Sequence, residues 1–218
     1  MKSHWTRNIS NYIDDCNKSD IAIILNGPPG CGKDTLAQRM TTAIPCGLYK
    51  REFKQLLYKE TASYFGVNVD HLIFFATHRD LKDSVRIPAM NNMTAREALI
   101  HVSEEIIKPL YGEDYFGNAE TEKVRQLQHD LNDRQFDIIY SDGGFMSEIK
   151  SLTKVFKIVM VVRLFRDGFV FNNDSRNYIY PEGIDGVQSC DLHLVSGEID
   201  NAIHSLIAAY WSLKYRCK

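Results

Sequence analysis

Gly27-Pro28-Pro29-Gly30-Cys31-Gly32-Lys33-Asp34-Thr35 is the stretch on which the reading of this 218-residue chain turns. One residue upstream of it ends Ile21-Ala22-Ile23-Ile24-Leu25, a continuous apolar run rich in branched residues, as expected of a strand buried on both faces of a parallel sheet. Directly after it, Leu36, Ala37, Met40 and Ile44 recur at helical spacing until Pro45 stops them. A GxxxxGK spacing between a buried strand and a helix has a physical meaning. Glycines let the backbone wrap an anion, several N–H groups can be directed inward, and the following helix adds its positive end. Gly27, Pro28, Gly30, Cys31, Gly32, Lys33, Asp34 and Thr35 are therefore read as the cradle of a nucleoside triphosphate, with Lys33 reaching the β and γ oxygens. The hydroxyl residue expected after the lysine is replaced by Asp34, with Thr35 one place later. Two readings of Asp34 stand side by side: a hard carboxylate ligand for Mg²⁺, direct or through water, and a simple helix cap.

Outward from the loop, the chain alternates between helical and strand patterns, which is the signature of an α/β fold. Upstream, Trp5, Ile9, Tyr12, Ile13 and Cys16 predict an amphipathic helix over 3–17. Downstream, a short segment at 46–50 leads to a helix carrying Phe53, Leu56, Leu57, Thr61 and Tyr64 and ending near Gly66. Residues 67–92 give no clear pattern. Thr94 and Glu97 form a capping box with Met93 as its staple, and Pro109 is expected to close that helix. A helix near 119–132, a strand at 136–140 with Asp142 just past its end, a short helix with Phe145, Ile149 and Leu152, and a buried strand at 155–162 follow. Arg163 comes directly after that strand. A polar stretch, 166–188, precedes a last strand at 191–195 and a C-terminal helix holding Ile199, Ala202, Ile203, Leu206 and Ile207.

Composition narrows the functional classes. Hydrophobic residues make up 44% and charged residues 25%, an ordinary profile for one domain with at most a modest insertion. The net charge of −2 gives no global basic field for nucleic acid or an anionic membrane, so any anion must meet a local cluster. Five cysteines, Cys16, Cys31, Cys46, Cys190 and Cys217, contain no CxxC pair, which favours a reducing cytoplasm over a disulfide framework. No secretory signal or membrane-spanning run is read. His71, His78 and His101 have no metal-ligand spacing with cysteine. Cys31 is read as a spacer whose oxidation would obstruct phosphate binding.

The GKDT ending, with aspartate for serine or threonine, resembles the bacteriophage deoxynucleoside monophosphate kinases and their relatives. Other stretches agree in order. Arg51-Glu52-Phe53-Lys54 looks like the segment whose lysine faces the monophosphate acceptor. Thr94-Ala95-Arg96-Glu97-Ala98-Leu99, Ser103-Glu104 and Tyr111-Gly112-Glu113-Asp114-Tyr115-Phe116 are similar to the acceptor-side helix and its turn. Ser141-Asp142 resembles the end of that family's third strand, Val161-Val162-Arg163 the end of the fourth, and Asp191-Leu192-His193-Leu194-Val195-Ser196-Gly197 the last strand before a C-terminal helix. The resemblance implies a P-loop kinase three-layer fold with a central parallel five-stranded sheet and helices on both faces. It further implies a single domain over 1–218, with an acceptor-binding insertion at 66–118 and a lid at 166–188. ATP, Mg²⁺ and a deoxynucleotide acceptor are the implied ligands, in the cytoplasm, or the host's if phage-encoded. No nucleic-acid or membrane partner is implied, and monomer and homodimer are both open. Where that family often has arginine after the strand-end aspartate, this chain has Gly143 and Gly144.

Transfer to a phosphate oxygen needs no general base, because that oxygen is already ionised near neutral pH. It needs two repelling anions aligned and the transferring charge stabilised by cations, arginine forks above all. Lys33 is assigned to the donor phosphates, Arg163 and Arg166 to charge stabilisation, and Arg176 to the lid. Arg51, Lys54, Arg79 and Arg96 are acceptor-side candidates. Asp142, at the carboxyl end of a buried strand, is where a metal-holding carboxylate belongs, with Asp34 and Thr35 as further candidates. Kinases of other small phosphorylated metabolites share these requirements. A nucleotide-driven switch or motor ATPase is the reading from another class. Such proteins usually follow the strand-end aspartate with a water-activating glutamate, and here Gly143 follows Asp142.

Overall fold

The computed structural model describes residues 19–131, 136–172 and 176–215. The helix expected over 3–17, with Cys16, and the terminal Cys217 lie outside the described residues. The chain divides into two compact units, one formed by Met1–Glu52 with Glu120–Lys218 and the other by Phe53–Ala119.

The first unit is built on five strands, β1 (Ser19–Asn26), β2 (Leu48–Arg51), β5 (Asp137–Tyr140), β6 (Phe156–Arg166) and β7 (Val187–Leu194). They lie in the order β2-β5-β1-β6-β7, and every pairing is parallel. The expected apolar runs are buried on both faces: Ile21 to Leu25 are each fully inaccessible, as are Ile138 to Tyr140. Alternation along the strands sorts those residues between two layers. Ile21, Ile23, Leu25, Met160, Val162 and Leu164 pack with Leu36, Ala37 and Met40 of α1 (Lys33–Ala43) and with Ile203, Leu206 and Tyr210 of α9 (Ile199–Lys214). The opposite face carries Tyr140, whose hydroxyl donates to Glu120 of α7 (Tyr115–Asp130) over 3.0 Å. Thr121 of α7 in turn bonds the Ser151 carbonyl of α8 (Met146–Leu152). A parallel sheet with helices on both faces, and a glycine loop between its central strand and the next helix, is the P-loop kinase-like arrangement expected from the sequence.

At the amino ends of the strands, a buried polar network joins β1, β5, β6 and α9. Asp137 accepts from Ile21 N (2.8 Å), Tyr210 Oη (2.6 Å) and Lys214 Nζ (2.8 Å). Asp20 accepts from Lys157 and Lys214. Burial opposes ionisation of Asp20, but the two ammonium donors outweigh it and lower its pKa.

The Phe53–Ala119 unit is helical, with α2 (Lys54–Phe65), α3 (Val69–Thr77), α4 (Arg79–Lys82), a two-stranded ribbon of β3 (Arg86–Ile87) and β4 (Met93–Thr94), α5 (Ala95–Ile100) and α6 (Lys108–Tyr111). Tyr58 and Ala62 of α2 share a core with Leu72, Ala76, Met90, Ala95 and Ala98. The unit therefore takes in α2 as well as the 66–118 stretch. Gly66 ends α2 in the left-handed conformation, and the capping box is present, with Glu97 N donating to Thr94 Oγ1 and Thr94 N to Glu97. The expectation that Pro109 closes the following helix is corrected. His101–Ile107 is wound as a π-helix, the chain continues through Pro109 in α6, and Gly112 at φ 96° ends it. Pro109 stands at the first turn of α6, where the missing N–H costs little. Two strands also outrun their expected limits: β6 continues three residues past Arg163, and β7 begins four residues before Asp191.

Candidate nucleotide-binding site

The loop after β1 is held in shape by close approach. A Cβ on Gly27 would stand 2.9 Å from Cys31 Sγ and 3.0 Å from both Leu164 Cβ and its carbonyl oxygen, so only glycine fits. Gly32 has φ 116°, a conformation that side chains disfavour, and it leads directly into α1. Cys31 N donates to Pro28 O (3.3 Å), and the first helical bond runs from Leu36 N to Gly32 O (3.0 Å). No side chain caps the turn before it.

Lys33 is 9% exposed, and its ammonium donates to the Gly27 carbonyl (2.7 Å) and the Pro28 carbonyl (2.6 Å). A buried ammonium needs such partners, and these fix its charge against the loop backbone. Cys31 lies fully buried 4.0 Å from it. Burial raises the Cys31 thiol pKa, outweighing the opposing influence of Lys33 and Arg166.

Asp34 faces solvent, as does Thr35. One oxygen of the Asp34 carboxylate accepts the Ser141 hydroxyl at 2.6 Å and lies 3.3 Å from Lys50 Nζ. The hydroxyl at the end of β5 thus meets a carboxylate on the loop, the reverse of the usual hydroxyl-on-loop, carboxylate-on-strand pair. Among the described residues no group of three or more His, Cys, Asp or Glu could hold a metal alone. The oxygen donors of Asp34 and Ser141 fit a hard divalent cation shared with phosphates. Asp142 stands next along the chain, and its backbone carbonyl accepts from Arg176 Nη1 (3.4 Å).

Arg166 reaches the loop itself. Its Nη1 donates to Cys31 O (3.4 Å) and its Nη2 to Ser196 Oγ (3.2 Å), with the guanidinium 4.7 Å from the Phe169 ring centre. Arg163, inside β6 rather than after it, is 8% exposed and donates to Asp191 (2.6 Å) and to the Ile179 carbonyl (3.3 Å), under the Tyr180 ring. Asn26, the last residue of β1, is almost inaccessible and uses both ends of its amide. It donates to Asn177 O (3.1 Å) and accepts from Ile179 N (2.9 Å). Tyr178 adds a bond to Leu164 O (2.9 Å) and stacks on Phe165. The described residues 176–180, within the stretch read as a lid, are thereby stitched to the carboxyl ends of β1 and β6.

Arg176 packs across Gly144, where a Cβ would lie within 2.7 Å of Arg176 Cγ. The turn that lacks an arginine in sequence thus receives one from 32 residues downstream in space. Glu148 is buried beneath, accepting from Gly144 N (2.8 Å) and Phe145 N (3.0 Å). Burial pushes its carboxyl pKa up to about 7 despite those bonds.

Arg51, at the end of β2, makes a two-point contact with Glu120 (2.5 and 3.1 Å), which is 3% exposed and also takes the Tyr140 hydroxyl. These bonds to Glu120 raise the Arg51 pKa still further. The sheet unit therefore gathers Lys33, Asp34, Asp142, Arg163, Arg166, Arg176 and Arg51 at the carboxyl edge of its strands. Lys54, Arg79 and Arg96 belong to the helical unit. There Lys54 opens α2, Arg79 is exposed at the start of α4, and Arg96 pairs with Asp83 (2.5 Å). Sequence reasoning missed Asn26, Lys50 and Glu120. Asn26 carried a signal, being a polar residue between a wholly apolar strand and the glycine loop; Lys50 and Glu120 carried none.

No family model matches the chain, and no curated protein does. Among solved structures, an unliganded sugar kinase from Janibacter sp. HTCC2649 is similar, with 11% identity, 87% of this chain and 93% of its own covered, and a TM-score of 0.44. That likeness is too distant to bear on activity, and the functional reading rests on the residues themselves.

Proposed function

We propose that this chain is an ATP-dependent phosphotransferase that phosphorylates a (deoxy)nucleoside monophosphate. The observation that carries the reading is the Lys33 ammonium fixed on the Gly27 and Pro28 carbonyls of a glycine loop that Arg166 also touches. In this reading Lys33 and the loop amides bind the β and γ phosphates of the donor, and Arg166 stabilises charge on the transferring group. Arg163 holds the 176–180 segment in place and adds positive potential at the strand ends. Arg51, aligned by Glu120, receives the acceptor phosphate, with Arg176 as a further acceptor contact. Asp34 with the Ser141 hydroxyl beside it, together with Thr35 and Asp142, would hold Mg²⁺, which would neutralise phosphate charge. Transfer is favoured over hydrolysis because Gly143 occupies the place of a water-activating glutamate.

The test is ADP release from ATP with each common deoxynucleoside and ribonucleoside monophosphate, for the wild type and for Lys33→Ala. We expect acceptor-dependent turnover that Lys33→Ala lowers by at least about a hundredfold. Full turnover by that variant would remove the catalytic reading. Turnover only with a non-nucleotide phosphate ester would keep the phosphotransferase and change its acceptor.

A further inference from the structure

Lys50 is the residue near the loop for which phosphate transfer has no assigned use. It lies on β2, 27% exposed, with its ammonium 3.3 Å from Asp34 and 3.6 Å from Glu52. Asp34 is 68% exposed and accepts the Ser141 hydroxyl through the same oxygen that faces Lys50. That oxygen is the hard donor a divalent cation would seek.

We propose that Lys50 is a built-in competitor for the divalent cation at Asp34, neutralising the carboxylate until a metal–nucleotide complex displaces it. The inference rests on the reading of Asp34 as a metal-side residue and adds the group that opposes the metal. Three observations support it. An ion pair this exposed contributes little, so a doubly charged ion carrying phosphates can break it. Glu52 offers the released ammonium a second partner on the same strand end. The Ser141 hydroxyl keeps the carboxylate oriented whichever cation it faces. A positive charge left a few ångströms from a divalent ion also repels it, so Lys50 lowers metal affinity even after moving aside.

The experiment compares binding of ADP by the full-length protein with Mn²⁺ and in EDTA. Calorimetry gives the two affinities, and the electron paramagnetic resonance signal of free Mn²⁺ provides an independent measure. The quantity read is the gain in affinity that the metal confers. We expect Lys50→Met and Lys50→Gln, both folded by their melting curves, to raise that gain by about three- to tenfold. Asp34→Asn should reduce it toward one. If Asp34→Asn abolishes the gain while both Lys50 variants leave it unchanged or lower it, the competitor role is wrong and the metal assignment stands. If Asp34→Asn leaves the gain intact, the metal assignment fails and the competitor role with it.

Discussion

Glu148 shows how one residue can carry a cost that its hydrogen bonds do not cancel. Its carboxyl is buried, accepts two backbone N–H groups, and still titrates near 7 rather than at its ordinary 4.5, because burial disfavours the charge. A raised carboxyl pKa means that the folded state prefers the proton. The stabilisation is complete below about pH 4.5 and is lost as pH rises through about 7. In Glu148→Gln the amide oxygen can accept the same two bonds without a charge. Unfolding measured in urea from pH 4.5 to 8 should therefore show the wild type losing up to roughly 3 kcal/mol relative to the variant. Parallel curves would show that Glu148 does not titrate in that window. At this scale the sequence was only partly legible. Gly27, Gly32 and Lys33 announce themselves by spacing, whereas Glu148 looks like any helical glutamate until the turn at Gly144 closes over it.

Among elements, the segment 176–180 depends most on one distant side chain. The Asn26 amide replaces a missing strand partner, supplying one donor and one acceptor to backbone that forms no ladder. Asn26→Ala should cost about 1–3 kcal/mol and speed amide exchange at Ile179, measured by hydrogen–deuterium exchange, more than at Ile23 in mid-strand. Unchanged exchange at Ile179 would show that Tyr178 and Arg163 suffice to hold the segment. The elements themselves were largely readable, because Ile21–Leu25 and the Thr94–Glu97 box follow from burial and capping alone. Their limits were not. β6 outlasts β1 because Arg163 to Arg166 find partners in β7 and in the loop, which a periodicity count cannot see. The helix through Pro109 survives because that residue falls at a first turn, just after seven residues of π winding.

For the whole molecule, the division at Phe53 and Ala119 separates two apolar cores with no residue in common. Leu72 is fully buried in the helical one. Leu72→Ala should destabilise that unit by about 2–5 kcal/mol. Loss of amide protection is expected in α2, α3 and α5 while β1 keeps its own, so equal loss in both would show one cooperative block instead. The parallel sheet was foreseeable, because the strand runs at 21–25, 136–140 and 155–162 alternate with helical patterns, whereas the count of five strands came from the family resemblance. Residues 67–92 were not. Their short helices, ribbon and turns leave no window long enough for a period to emerge.

The thiol inside the loop has a chemical consequence of its own. Cys31 is wholly enclosed and kept protonated, while Cys46 is open to solvent and Cys190 is partly so. Peroxide or iodoacetamide should accordingly mark Cys46 and Cys190 long before Cys31, and peptide mass mapping under native conditions will rank the three. The most vulnerable-looking atom of the loop is thus protected by the same fit that forbids a side chain on Gly27. Alkylation at Cys31 would report unfolding rather than damage to the working protein.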